Sequence, residues 1–234
     1  MSLADKLAHT EALLKDIAAK HGKVALANSF GAEDMVLTHL IATLQLPIGI
    51  FSLDTGRLPV ETYDLMQKVG ERYPANPVRV YYPDAAALET YVNQNGINAF
   101  YNSVELRKGC CHIRKIEPLK RALAGLDGWI TGLRRQQSLT RVDLPEAEFD
   151  ADNGLMKFNP LLDWTEKEVW EYIRANDVPY NSLHDKHVPS IGCAPCTRPI
   201  AVGEDIRAGR WWWENPDSKE CGLHVKASPL KRPE

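Results

Sequence analysis

The chain has 234 residues, 44% of them hydrophobic, which is enough to bury a sizeable core in one large domain or in a domain with a short appendage. Its net charge of −3 gives no basic signal for nucleic acid, and no apolar run approaches the roughly 20 residues that a membrane span requires. The first residues lack the pattern of a signal peptide, so we expect a cytoplasmic protein with no nucleic-acid or membrane partner.

Short apolar runs alternate with amphipathic stretches over the first two thirds of the chain. In chain order, the pattern predicts a helix over 3–20, a strand over 23–28, a helix to about 44, a strand over 48–53, a helix over 59–73, a strand over 78–82, a helix over 111–123, strands over 129–132 and 156–160, and a helix over 166–175 capped by Thr165. This alternation indicates an α/β fold with a parallel sheet, helices on both faces, and ligands bound beyond the carboxyl ends of the strands.

The composition changes beyond Pro179, where Pro, Gly, Cys and Trp become frequent and helix or strand patterns are few. We therefore expect an α/β domain over residues 1–180. An irregular C-terminal region over residues 181–234 should lie over the site.

Four of the five cysteines form two pairs, the adjacent Cys110 and Cys111 and the Cys-x-x-Cys pair of Cys193 and Cys196. In a reducing compartment such cysteines are more often metal-binding or catalytic than disulfide-bonded. A structural zinc site usually takes two Cys-x-x-Cys arms, whereas an adjacent pair at the predicted start of a helix has diverging side chains that suit a bulkier iron–sulfur cluster. The spacing favours a cluster over zinc. It leaves open that Cys110 and Cys111 are only buried apolar residues and that the Cys193 pair alone binds a metal.

The fifth cysteine, Cys221, stands apart in the segment Glu-Cys-Gly-Leu-His, residues 220–224. Neighbouring positive charge, such as that of His224, would favour its thiolate. If the other four cysteines are ligands, Cys221 is the thiol left for chemistry and has no internal partner to resolve it. A redox enzyme built in this way takes a second thiol from another molecule, although the local sequence is equally compatible with an inert cysteine.

Two turns at predicted strand ends could contact a ligand. Residues 29–34, Ser-Phe-Gly-Ala-Glu-Asp, let backbone N–H groups approach an anion at a helix N-terminus, but their two acids favour a modestly charged ligand or Asp34 as the helix N-cap. Residues 53–56, Leu-Asp-Thr-Gly, could accept a hydrogen bond from a ribose or an adenine, or form an ordinary turn capped by Asp54. Arg134 and Arg135 follow another strand and are better placed than most basic residues to meet an anion.

These motifs belong to a longer set that resembles the assimilatory sulfonucleotide reductases in order and over nearly the whole chain. The set comprises residues 29–34, Leu-Asp-Thr-Gly-Arg (53–57), Cys-Cys-His-Ile-Arg-Lys (110–115), Thr-Gly-Leu-Arg-Arg-Gln-Gln-Ser (131–138), Gly-Cys-Ala-Pro-Cys-Thr (192–197), Arg207 with Arg210, and residues 220–224. The chain looks like the cluster-bearing branch of that family, which acts on adenylyl sulfate (APS). The branch that acts on the 3′-phosphorylated substrate (PAPS) typically lacks the four paired cysteines.

The resemblance implies a Rossmann-like fold of the adenine-nucleotide α-hydrolase type, with a modified phosphate loop at 29–34. It implies a [4Fe-4S] cluster on Cys110, Cys111, Cys193 and Cys196. Cys221 would attack the sulfur of APS, release AMP and carry an S-sulfo group, from which thioredoxin would free sulfite for sulfate assimilation and cysteine biosynthesis.

The resemblance also implies the remaining roles. His224 would lie close to the nucleophile, and Lys115 between the cluster and the substrate sulfate. The substrate would contact Ser29, Gly31, Asp34, Leu53, Thr55, Gly132, Arg141, Arg207 and Arg210. The expected partners are APS and thioredoxin, and the expected assembly is a homo-oligomer.

Three alternative functions remain to be weighed. A PAPS reductase or a reductase of both substrates would depend on basic groups near the ribose 3′ position, which the sequence does not resolve. A tRNA-thiolating enzyme of the same superfamily would be expected to carry a Ser-Gly-Gly-x-Asp-Ser loop and a basic surface, and residues 29–34 and the net charge of −3 speak against it. A non-enzymatic zinc module would leave Cys221 and the 29–34 loop without a role.

Overall fold

The computed structural model describes residues 1–137 and 144–215. Its strands are β1 Val24–Ala27, β2 Gly49–Leu53, β3 Val78–Tyr81, β4 Gly128–Ile130, β5 Ala147–Asp150 and β6 Leu155–Phe158. They form a six-stranded sheet in the order β3-β2-β1-β4-β6-β5. All neighbouring pairs are parallel except β5 and β6, which form an antiparallel hairpin at one edge.

Helices connect the strands. They are α1 Leu3–Lys20, α2 Ala32–Thr43, α3 Val60–Arg72, α4 Ala85–Asn95, α5 Val104–Cys111, α6 Glu117–Leu123 and α7 Glu166–Ala175. A π-helical turn, His112–Ile116, joins α5 directly to α6. The predicted cap Thr165 is confirmed, because its hydroxyl accepts the N–H of Glu168 while the Glu168 carboxylate accepts the N–H of Thr165, which satisfies two otherwise free donors at the start of α7.

The two faces of the sheet bury different helices. Because side chains alternate along a strand, Val24 and Leu26 join the larger core with α1, α2, α3 and α7, whereas Ala25 faces the opposite side. On that side, α6 packs against Phe51 and Trp129. The predicted α/β architecture, with helices on both faces of a mostly parallel sheet, is confirmed.

The structure corrects three details of the predicted elements. Helix α4 was not predicted, and it buries none of its side chains completely, so the sequence carries little apolar periodicity there. Strand β5 was not predicted either, because it is an edge strand that alternates between exposed and half-buried positions. Cys110 and Cys111 lie at the end of a helix rather than at the start of one, since the helix predicted over 111–123 is in fact the π turn followed by α6.

The described residues beyond α7 are irregular, as predicted. Residues 176–215 contain two 3₁₀ turns, Ser182–Lys186 and Ala194–Cys196, and a single bridge between Thr197 and Arg210. The division of the chain into two domains at residue 180 stays a prediction. Among the described residues, no helix combines the length and the apolar character that crossing a bilayer requires.

Candidate active site

A cleft of about 260 Å³ opens at the carboxyl ends of β1, β2 and β4. Its floor includes Ala27 at the end of β1 and Leu53 at the end of β2. The irregular region closes it from the other side through residues 190–192 and Trp211. The cleft thus lies where parallel α/β sheets generally bind their ligands.

Most of the predicted substrate-binding residues line this cleft. They are Ser29, Gly31, Asp34, Leu53, Gly132, Arg207 and Arg210, together with Lys115, which was predicted to be catalytic. Thr55 is buried instead beside the cysteines, with its hydroxyl oxygen 3.2 Å from the sulfur of Cys193. Arg141, Cys221 and His224 lie outside the described residues. The roles assigned to all these side chains stay predictions.

The loop after β1 is organised by one buried carboxylate. The sequence left open that Asp34 is the N-cap of α2, and the structure shows that it is not. Gly31 occupies that position, and the Asp34 carboxylate accepts hydrogen bonds from the backbone N–H and the hydroxyl of Ser29, both at 2.7 Å. Because Gly31 has no side chain to cap the helix, the first N–H groups of α2 can serve an anion in the cleft.

Burial controls the charge of Asp34. Desolvation raises the pKa of its carboxyl to about 6, with a further contribution from the charge of Glu33, while the hydrogen bonds from Ser29 oppose the rise. The loop after β4 packs closely on the same carboxylate. A Cβ atom at Gly132 would collide with Asp34 and with Glu33, so the close approach of these two loops requires glycine at this position.

A second, smaller cavity adjoins the cleft and is lined by all four paired cysteines. Cys110 and Cys111 come from the end of α5, whereas Cys193 precedes the 3₁₀ turn of the irregular region and Cys196 is its last residue. None of the four is in a disulfide. Over the described ranges, no three His, Cys, Asp or Glu side chains converge closely enough to hold a single metal ion.

The surroundings of this cavity are cationic. Arg57, Arg107, Arg114 and Lys115 contribute to its lining. Although burial alone would raise the pKa of Cys193, the charge of Lys115 and a hydrogen bond from Thr55 hold the pKa of this thiol below its usual value. Four thiol donors around one pocket, with compensating cations, have the donor chemistry of an iron–sulfur cluster.

Lys115 lines both the cleft and the cysteine cavity. It sits on the π turn, a helical irregularity that often occurs at functional sites. Its neighbour Arg114 is buried and donates a hydrogen bond to the backbone carbonyl of Thr55, which ties the π turn to the loop after β2. The sequence therefore folds so that one lysine separates the two cavities.

Other polar residues turn out to have structural contacts. Arg134 is buried and donates from Nε to Glu33 at 2.8 Å, and Arg135 pairs with Asp163, so neither lines the cleft as an anion contact. Asp54 accepts the N–H of Gly56 at 2.7 Å, which makes residues 53–56 the ordinary capped turn that the sequence left open.

Sequence reasoning missed Trp211. This residue is 1% exposed, lines the cleft and packs with Phe100 and Cys196 in a small hydrophobic cluster. The signal available was the run of three tryptophans at 211–213 within an irregular segment. Such a run has no helix or strand periodicity, and burial in a site is one reason to retain large aromatic side chains there.

The sheet order, the cleft at the strand ends and the adjoining cysteine cavity define an α/β protein of the nucleotide-binding type. Residues 23–199 match the model of the phosphoadenosine phosphosulfate reductase domain. The chain belongs to this family, which confirms the resemblance to the sulfonucleotide reductases.

Similar proteins cover almost the whole chain. A protein named adenosine 5′-phosphosulfate reductase from Burkholderia cepacia is 56% identical over 95% of this chain and 89% of its own length. Its namesake from Allochromatium vinosum is 55% identical over 94% of this chain and 86% of its own length. A solved structure of phosphoadenylyl-sulfate (PAPS) reductase from Candida auris is 28% identical, with a TM-score of 0.71 over 81% of this chain and 90% of that one.

Proposed function

We propose that the chain is an APS reductase, an oxidoreductase of sulfate assimilation that converts adenylyl sulfate to sulfite and AMP in the cytoplasm. The relatives at 53–56% identity are named adenosine 5′-phosphosulfate reductase, which is another name for APS reductase. The single observation that carries the proposal is the position of Lys115, which lines both a cleft at the strand ends and a cavity with four cysteines. A lysine in this position can neutralise a sulfate held at the boundary.

The nucleotide would occupy the part of the cleft beside the loop after β1. The first N–H groups of α2 would face its phosphate, and Gly132 would line the cleft where the loop after β4 packs on the buried Asp34. Its sulfate would then point toward Lys115, Arg207 and Arg210, which supply positive charge at the other end. Leu53, which lines the cleft, and Arg141 complete the proposed set of contacts, whereas Thr55 lies beside Cys193.

Cys110, Cys111, Cys193 and Cys196 would hold a [4Fe-4S] cluster. When bound, the cluster would tie α5 to the 193–196 turn and add negative charge beside Lys115. Thr55 supports this arrangement from the protein side, since its hydroxyl lies 3.2 Å from the Cys193 sulfur. Iron and acid-labile sulfide analysis of anaerobically purified protein would test the cluster, and stoichiometric zinc without sulfide would contradict it.

The chemistry would begin at Cys221. Its thiolate attacks the sulfur of APS, a new S–S bond forms, and the S–O bond to the phosphate breaks with AMP as the leaving group. The electron pair of the broken bond leaves with AMP, and the sulfonate remains on Cys221. His224 would lie beside the nucleophile and favour its thiolate by its charge.

The second half of the reaction would use thioredoxin. One thiolate of the reduced dithiol attacks the Cys221 sulfur and releases sulfite, and the second thiol then frees Cys221 from the mixed disulfide. The dithiol supplies two electrons and becomes a disulfide. The family resemblance supports this scheme, and so does the sequence, in which Cys221 is the cysteine outside the two proposed ligand pairs.

Turnover with two substrates tests the proposal. Anaerobically purified protein, reduced thioredoxin and APS should yield sulfite and AMP in equal amounts. Replacing APS by PAPS should lower kcat/KM greatly, because a 3′-phosphate would add negative charge to a cleft that already holds Glu33 and Asp34.

Comparable kcat/KM values for APS and PAPS would instead favour the enzyme of both substrates, and turnover of PAPS alone would favour the PAPS reductase. No sulfite from either substrate would contradict the whole proposal. AMP in place of APS serves as the control for nucleotide binding without a transferable sulfate.

A further inference from the structure

A buried ion pair joins the cysteine-bearing helix to the irregular region. Arg107 on α5 donates from Nε and Nη2 to the two carboxylate oxygens of Glu214, at 2.9 and 2.8 Å. The two side chains are 1% and 4% exposed. Burying such a pair costs desolvation energy that its own attraction often fails to recover, so stability alone is a weak explanation for it.

The same arginine also contacts an aromatic side chain of the irregular region. The Arg107 guanidinium lies over the Trp211 ring, 4.8 Å from its centroid, and the Arg210 guanidinium lies over the same ring at 4.7 Å. The backbone N–H of Trp211 also donates to the carbonyl of Cys196, at 3.3 Å. Trp211 thus connects Arg107 to Arg210 through two cation–π contacts.

Arg210 and Trp211 both line the cleft, and Arg210 is the one of the two that brings a positive charge to it. Its Nε donates to the carbonyl of Cys196 at 3.3 Å, and its Nη1 donates to the carbonyl of Ile191 at 3.1 Å. These bonds place its guanidinium beside the Cys193–Cys196 turn, where Arg210 lines the cleft. An anion that extends from the nucleotide toward the cysteines would meet it there.

We propose that Arg107 and Glu214 are positioning residues, which hold residues 210–215 against α5 so that Arg210 faces the sulfate end of the substrate. Arg107 acts through Trp211 and Glu214 and is not itself a catalytic residue. The proposal rests on the proposed function, since it assigns Arg210 to the sulfate of APS. It predicts a selective defect, because the nucleotide end of the cleft is built from other elements.

The test measures binding in a background that cannot consume the substrate. Full-length, anaerobically purified protein carrying Cys221→Ser would be titrated with APS and, separately, with AMP. The variants are Glu214→Gln, which leaves Arg107 without its counter-ion, and Arg107→Met with Glu214→Leu, which replaces the pair by apolar side chains of similar size. The double variant is included because Glu214→Gln alone can fail to fold.

A matched control pair lies outside the lining of the cleft. Lys6 donates to Glu168 at 2.8 Å, and the two side chains are 14% and 16% exposed. Lys6→Met with Glu168→Gln removes this ion pair. The glutamine keeps a side-chain oxygen that can accept the N–H of Thr165 at the start of α7. This control should leave the affinity for both APS and AMP unchanged.

The expected result is a selective loss. The affinity of both Arg107–Glu214 variants for APS should fall on the order of tenfold, as for a weakened hydrogen bond to a charged group, while their affinity for AMP stays within about twofold. In the Cys221 enzyme, the double variant should show a kcat lower by on the order of 10²-fold, the usual consequence of a displacement of about 1 Å.

Other outcomes overturn the proposal. If the variants bind APS as tightly as the control does, or lose APS and AMP affinity in parallel, the ion pair has a structural role only. If the Cys221→Ser parent does not bind APS and the unsubstituted enzyme does not turn it over, the proposed function itself fails, and the failure is visible before any Arg107 or Glu214 variant is made.

Discussion

The sheet region, residues 1–175, and the irregular region, residues 176–215, are held together in different ways. The sheet region has backbone ladders and an apolar core on both faces. The irregular region is fixed by hydrogen bonds of individual side chains. Arg210 donates to two backbone carbonyls, the Thr197 hydroxyl donates to the carbonyl of Cys193, and the Glu214 carboxylate accepts from Arg107. Substitutions in the first region should therefore act mainly on stability, and substitutions in the second mainly on the geometry of the site.

The largest expected effect concerns Asp34, which belongs to the sheet region but faces the cleft. Its folded-state pKa of about 6 lies above the usual value of 3.8, so the folded protein binds more protons than the unfolded chain between these values. Stability from this group is present below pH 3.8 and is lost as pH rises through about 6, by about 3 kcal/mol in total. Chemical denaturation at a series of pH values measures this loss.

Two variants sharpen the Asp34 prediction. Asp34→Asn cannot ionise, so the free energy of unfolding of the wild type should fall relative to this variant between pH 4 and 6. Ser29→Ala removes a hydroxyl that donates to the carboxylate at 2.7 Å and lowers its pKa, so its stability should fall further with rising pH. Parallel pH curves for all three proteins would contradict the assignment.

The next largest effect is expected from a substitution in the irregular region, at Gly192. A Cβ at Gly192 would collide with the guanidinium of Arg210, so Gly192→Ala must displace that side chain. We expect kcat/KM for APS to fall on the order of 10²-fold. The melting temperature should change little, because the displaced atoms are the flexible end of one side chain. If Gly192→Ala instead lowered the melting temperature and left kcat/KM unchanged, the claim that substitutions in the irregular region act mainly on the geometry of the site would be contradicted.

The smallest effect is the matched change in the sheet region. Gly70 lies on α3, and a Cβ there would meet nothing within 4 Å. Gly70→Ala should raise the free energy of unfolding by roughly 0.5–1 kcal/mol, because alanine restricts the unfolded chain and favours a helix. Its kcat and KM should equal those of the wild type, and a change in either would show that α3 influences the cleft.

The sequence predicted most of the sheet region because its strands are short apolar runs with regular spacing. Strand β2 was predicted over 48–53 and is found at Gly49–Leu53. Helix α4 and strand β5 were missed because their side chains lie largely at the surface, where the apolar pattern that marks a buried element is weak. Local pattern predicts an element well only when one of its faces is buried.

The candidate site was predictable where a motif supplies several residues at once. The four paired cysteines and the 29–34 loop line adjoining cavities as expected from the family resemblance. The partners of single charges were not predictable, because Arg107 lies 107 residues from Glu214 and Arg134 lies 101 residues from Glu33. Such pairs depend on the completed fold, and no local spacing rule indicates them.

The most direct test of the central claim is a single turnover without reductant. Anaerobic protein mixed with APS alone should release one equivalent of AMP and gain about 80 Da, the mass of an SO₃ unit, on the peptide that contains Cys221. Cys221→Ser should show neither change and keep its affinity for AMP. An adduct on any other cysteine, or AMP release that requires thioredoxin, would contradict the account.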